Sequence, residues 1–207
     1  MNPITHFLVS WGVANAAALE RRDRAIVTLA GVAPDLDGLG ALPELLTRHS
    51  AHPLDWFSRY HHVLGHTLGF ELVVTGAAFL LATRRWKTAA LACVTFHLHL
   101  LCDVVGARGP DGDQWPIPYL LPFSRAWQWT WSGQWALNGW QNFAITGAAL
   151  AGMFYLAWSR GYSPLEMVSP RADAAFVAAL RERFGAGKVG APPRPARQPA
   201  GLKEGDE

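Results

Sequence analysis

Long apolar runs, interrupted by short polar stretches, dominate the chain. Trp140 to Trp158 contains no charged residue and is bracketed by aromatics. As a helix it would be about 28 Å long, which suits the hydrocarbon core of a bilayer. Two runs precede it. Val63 to Ala82 is apolar except for His66 and Glu71, and Thr88 to Val105 is apolar except for His97, His99 and Asp103. The short basic turn Thr83-Arg84-Arg85-Trp86-Lys87 joins them, so the pattern predicts antiparallel neighbours. Ile4 to Leu19 reads as a helix capped by Asn2, with Pro3 in its first turn. Arg21 to Arg24 follows as a charged turn, and Ala25 to Ala33 as a short second helix stopped at Pro34. Leu39 to Trp56 reads as a loop holding one short helix, Pro43 to Arg48.

These elements predict an all-α fold: an integral membrane bundle of about 3–5 helices, within residues 1–160. Arg108 to Gly139 is a long Gly-, Pro- and Trp-rich connection. Six of the ten tryptophans lie between Trp115 and Trp140, and such clustering fits a membrane–water interface better than a buried subdomain. Residues 161–184 carry an amphipathic juxtamembrane helix from Pro170 to Phe184. Residues 185–207 are rich in Gly, Pro and charge and are expected to be disordered.

Composition agrees with a membrane setting. Hydrophobic residues make up 50% of the 207 and charged residues only 16%, against ~25% in an average soluble domain. A net charge of +2 without a single basic patch excludes nucleic acid as a partner. Cys93 and Cys102 stand nine positions apart in one predicted helix, too far for a disulfide. Met1 to Leu19 has no Lys or Arg, so an uncleaved helix is expected rather than a signal peptide. Arg84, Arg85 and Lys87 fall on the same side as Arg160, Arg171, Arg181 and Arg183. The positive-inside rule makes that side cytoplasmic, with the C-terminus.

The ionisable residues give the strongest signal. His6 begins the first helix, Asp35 and Asp37 follow the second, and His61, His62 and His66 begin the third. His99 and Asp103 lie near the end of the fourth. All of them gather opposite the basic turns, on the non-cytoplasmic side. His62 and His66 share a helical face, as do His99 and Asp103. Two such pairs on neighbouring helices can converge on a divalent ion, zinc first and manganese or iron next. His97 faces away from His99. His49 and His52 read as ordinary loop residues, and Glu71, deeper in the bundle, as a structural or supporting group.

Several strings resemble a known family. Gly31-Val32-Ala33-Pro34-Asp35-Leu36-Asp37, with one residue fewer between Gly and Pro, is similar to the G-x-x-x-P-D-[ILV]-D signature of the bacterial membrane-bound metal-dependent hydrolases, formerly a domain of unknown function. Thr5-His6, His61-His62-Val63-Leu64-Gly65-His66-Thr67 and His99-Leu100-Leu101-Cys102-Asp103 match three further boxes in order. Trp115-Pro116 through Leu121-Pro122-Phe123-Ser124 matches a fourth. The likeness covers about residues 1 to 160 and extends distantly to zinc-dependent phospholipase C enzymes. In this sequence His62 replaces the family's Arg and Gly65 its Thr or Ser. Alignment points to His61 as the ligand and helical spacing to His62, so both are carried. The resemblance implies a hydrolase in the inner membrane, acting on a phosphoester or a small or lipid-linked substrate. One or two ions would be held by His6, Asp35, His61 or His62, His66, His99 and Asp103. Asp37 would bind a second ion or serve as general base on water. Arg108 and Arg125 could meet a phosphate. The rival reading is a non-catalytic membrane protein that binds a metal or haem. Oligomeric state is not encoded in any of these features.

Overall fold

The computed structural model describes residues 1–109 and 112–185. The expected disordered tail, apart from Gly185, lies outside them. Among the described residues the fold is all-helical, with no strand and two isolated bridges, Arg108 to Ala136 and Ile117 to Trp129.

Helix α1 (Pro3–Ala16) starts as its sequence predicts. The Asn2 side chain accepts a hydrogen bond from the Thr5 amide, and Pro3 opens the first turn. Helix α2 runs Arg21–Ala30. Arg21 to Arg24 is therefore its first turn and not a separate connection, because buried Asp23 and Arg24 both have partners there. Asp23 accepts from the Thr83 and Arg84 amides and the Thr88 hydroxyl. Arg24 forms a two-pronged ion pair with Glu166. After Gly31 the chain winds into a 3-10 segment, Ala33–Gly40, and then α3 (Ala41–Thr47) and the short α4 (Trp56–Tyr60).

Helix α5 is Leu68–Leu81, five residues shorter at its start than the apolar run suggests. Thr67 caps it by accepting from the Phe70 amide. His61, His62 and His66 thus lie in the connection before α5 and not on a helix. At 14 residues α5 is about 21 Å long, short of a ~30 Å bilayer core.

Helix α6 (Arg85–Gly106) is central and packs against α1, α2 and α5. Ala89, Ala92, Phe96, His99, Leu100 and Asp103 form its buried stripe at three- and four-residue intervals. It is the one helix among the described residues long and apolar enough to cross a membrane alone. Helix α2 together with the segment Ala33–Thr47, bent by 50°, would qualify as a second, broken span. Helix α7 (Trp140–Arg160) has the expected length but does not pass on composition. Its Gln, Asn, Trp, Tyr and Gly residues offset its alanines and leucines. It packs on α1, and α8 (Pro170–Phe184) packs on α7.

The Trp-rich connection folds back under the site end of the bundle. Ile117 and Tyr119 join the core of Phe96, Leu100 and Val104, and Trp129 stacks on Tyr119 at 4.7 Å. Trp127, Trp131 and Trp140 remain exposed. The segment is thus partly the buried aromatic unit that its clustering argued against. Its inner residues cover the end of α6, and its outer tryptophans are exposed.

Candidate metal centre

Every ligand-type residue singled out at one end of the bundle falls in a single buried cluster. Helix α1 supplies His6, the 3-10 segment Asp35 and Asp37, the connection before α5 His61, His62 and His66, and α6 His99 and Asp103. Two close approaches make this possible. A Cβ on Gly31 would fall 1.9 Å from Ser10 Oγ, and one on Gly65 2.1 Å from the Pro34 carbonyl. Only glycine lets the histidine connection press against the Pro34-Asp35 turn. His62 takes a left-handed backbone, φ 63°, which is costly for a non-glycine residue. Its ring is folded over His66, centroids 4.4 Å apart.

Asp103 lies at the centre. Its Oδ1 is 3.1 Å from His6 Nε2 and meets the Met1 amino group. Its Oδ2 is 3.0 Å from His99 Nε2 and 3.4 Å from His66 Nε2. His99 Nε2 also stands 3.6 Å from Asp35 Oδ1 and 3.2 Å from His66 Nε2. The rings of His6 and His99 stack at 3.6 Å.

The outer hydrogen bonds fix which nitrogens face inward. The Gly31 carbonyl, 2.8 Å from His99 Nδ1, can only accept, so Nδ1 carries the proton and Nε2 presents a lone pair. His66 Nδ1 likewise donates to Asp37 Oδ2 at 3.1 Å. Two imidazole Nε2 atoms therefore face each other between carboxylates, an arrangement that demands a positive charge. Without an ion, His66 itself supplies it. Burial disfavours its charged form, yet Asp103 and Asp37 outweigh that and raise its pKa to about 9. His62 goes the other way, to about 2, through burial and then repulsion from His66, which leaves a neutral imidazole.

Asp37 stands behind this arrangement. Its Oδ1 accepts from His61 Nδ1 at 2.9 Å, and its Oδ2 from His66 and the Gly65 amide. Both oxygens accept hydrogen bonds, which suits Asp37 to orienting the histidines; the sequence expects it to bind a second ion or act as general base on water, and it falls in neither candidate ion set. Asp35 Oδ2, Asp103 Oδ2, His6 Nδ1 and His62 Nδ1 are buried without hydrogen-bond partners.

The residues fit a divalent ion. Two sets have ligand atoms all within 4.8 Å of one another: His6, Asp35, His99 and Asp103, and His62, His66 and Asp103. Metal bonds of about 2.0–2.2 Å to N and O set donor–donor edges of roughly 3.0–3.6 Å, and the separations among His6, His66, His99, Asp35 and Asp103 given above fall in that range. His62 belongs to a set, whereas His61 is tied to Asp37. A third set joins Glu71, Cys93 and His97, where the sequence suggests only a supporting residue and an outward histidine. There His97 bonds to Tyr119 Oη at 2.7 Å and Glu71 accepts from Thr75. His49 and His52 are exposed and outside every set.

Phe57, His61, His62 and Trp115 line a 410 Å³ cavity at the mouth of the cluster. A larger one, 830 Å³, adjoins it across Val63 and Pro116 and contains Arg59 and Arg125. Arg125 is one of the two arginines that the sequence offers to a phosphate; Arg59, on the short helix α4, belongs to no motif that would single it out. Arg108 is elsewhere, donating to the Ser132 carbonyl at 2.9 Å, and braces the Trp-rich connection.

Residues 1–178 match the model of a family described as YdjM inner membrane protein. No curated protein and no solved structure matches the chain.

Proposed function

We propose that this chain, which belongs to the YdjM inner membrane protein family, is a metal-dependent hydrolase acting at the membrane surface on a phosphoester, with a lipid-linked substrate favoured. The observation that carries the reading is the convergence of His66 Nε2, His99 Nε2 and Asp103 Oδ2 within 3.0–3.4 Å, each nitrogen held inward by a bond behind it. His6, Asp35, His62, His66, His99 and Asp103 would hold one or two ions, with Asp103 shared by both sets. Zinc is the first choice for this nitrogen and carboxylate mixture, manganese or iron the next. Such an ion supplies Lewis-acid polarisation and a nucleophile at neutral pH.

The protein's own part follows from its geometry. Asp37 holds His61 and His66 in register. Asp35, whose buried Oδ2 has no hydrogen-bond partner, is the carboxylate available to take a proton from water. His61 and Trp115 restrict the opening. The chain would lie in the bilayer as several passes, with the metal centre non-cytoplasmic and the C-terminus cytoplasmic, as its basic turns require.

Metal content by mass spectrometry on detergent-purified protein tests the reading. Wild type and His49→Ala should carry about one or two equivalents of divalent metal, while His66→Ala and Asp35→Ala lose them. Loaded protein should then cleave a phosphoester that His66→Ala leaves intact. Metal-free wild type, or full loading of both site variants, would defeat the proposal.

A further inference from the structure

Beside the metal centre, two cations share a cavity and lack partners. Arg59 and Arg125 both line the 830 Å³ space, and neither guanidinium makes a hydrogen bond or ion pair among the described residues. The Arg59 guanidinium carbon lies 5.8 Å from the Tyr60 ring centroid. Three arginines elsewhere in the chain are engaged, Arg24 with Glu166, Arg108 with Ser132 and Arg160 with the Asn15 carbonyl; what sets Arg59 and Arg125 apart is that they share one cavity. The rest of the cavity wall is largely apolar and includes Leu64, Leu121 and Pro122, with no carboxylate among its lining residues. Leu64 is half exposed, and Phe123 just beyond is more so.

We infer that this cavity is a subsite for a second anionic group, a phosphate, on the same substrate molecule that reaches the metal centre. Guanidinium groups are planar donors suited to phosphate, and two of them in a space without acidic residues favour an anion. The shared wall of Val63 and Pro116 places this subsite next to the opening at His61 and His62. A diphosphate, or a phosphate with a second one nearby, spans neighbouring cavities of this kind, and the apolar lip at Leu64 and Phe123 accepts a hydrocarbon chain. The substrate class rests on the hydrolase reading above, but the anion site does not.

Binding distinguishes the two. Tryptophan fluorescence of the full chain in detergent, titrated with inorganic pyrophosphate and separately with phosphatidic acid in mixed micelles, reports on binding through Trp115, which lines the adjoining cavity next to the shared Pro116. Arg59→Gln and Arg125→Gln should each weaken binding on the order of tenfold, and the double variant further, with Arg85→Gln unchanged. Tighter binding of phosphatidic acid than of pyrophosphate assigns the site to a lipid headgroup, and the reverse to a soluble phosphate. His66→Ala without metal should still bind the anion. That result would uphold the subsite even if the hydrolase reading failed. Wild-type affinity in the double Arg variant overturns the inference.

Discussion

Asp37 accepts three hydrogen bonds, two from imidazoles and one from a backbone amide. Residues in this position behind a metal-binding histidine fix its tautomer and raise its basicity, and their loss costs about 10–100-fold in metal affinity. Asp37→Asn should therefore bind metal more weakly by that order, with the helical circular dichroism retained. A competition titration with a chelating dye measures it. Complete loss of metal would instead make Asp37 a ligand, and unchanged affinity would remove its positioning role. The distinction was not legible in the sequence. Asp35 and Asp37 differ there only by two positions in one turn. What separates them is direction: the 3-10 winding turns Asp35 toward His99 and Asp37 toward His61 and His66.

Between elements, the tightest contact is the histidine connection against the Pro34-Asp35 turn. Gly65→Ala would place a methyl group 2.1 Å from the Pro34 carbonyl, and backbone must move to relieve it. Metal retention after dialysis should fall well below wild type while helix content stays. Full retention would mean that the two segments are less closely packed. The other end of the bundle has its own anchor. Arg24 and Glu166 pair at 2.7 Å with side chains 10% and 8% exposed, and Arg24 also stacks over Tyr162 at 3.9 Å. Arg24→Ala leaves Glu166 buried and unpaired, a loss of ~3–5 kcal/mol or on the order of 10 °C in thermal midpoint. The double change Arg24→Met, Glu166→Leu should recover most of it, with metal content normal in both. A midpoint unchanged by Arg24→Ala would show that the pair contributes nothing net. Apolar periodicity gave α6 and α7 within a few residues. It overran the start of α5, because Val63 and Leu64 continue the apolar run while Gly65 and the Thr67 cap interrupt the helix. It also placed His62 on a helical face that does not exist. His62 still meets His66, through a left-handed backbone turn that spacing arguments do not reach.

On the scale of the whole molecule, charge and chemistry are segregated along α6. Asp103 lies 18 residues beyond Arg85, about 27 Å at 1.5 Å per residue, nearly the depth of a bilayer core. Asp23 ties the first turn of α2 to the Arg85 end, and the 3-10 segment of Asp35 and Asp37 lies at the other. Between them the outer faces are apolar: Leu72, Val73, Leu80 and Leu81 on α5 and Phe143 and Phe154 on α7 are exposed, which fits contact with lipid. Leu36, Leu39, Leu42, Leu45 and Leu46 form a similar exposed rim beside the metal centre. The sequence carried this segregation as an alternation of basic turns and ligand-type residues. It could not fix which helices cross the bilayer, since α5 is short and α7 rich in weakly apolar residues. The positive-inside rule assigns the basic end to the cytoplasm as a proposal that labelling can test. In a background with Cys93 and Cys102 replaced by Ala, a single cysteine at Ala126, exposed in the Trp-rich connection, should react with an impermeant maleimide in intact cells. One at Trp86, 80% exposed at the basic end, should react only after the inner membrane is opened. The reverse pattern would put the metal centre on the cytoplasmic side and set the positive-inside argument aside. Labelling of both in intact cells would mean that α6 does not separate the two ends by a membrane at all.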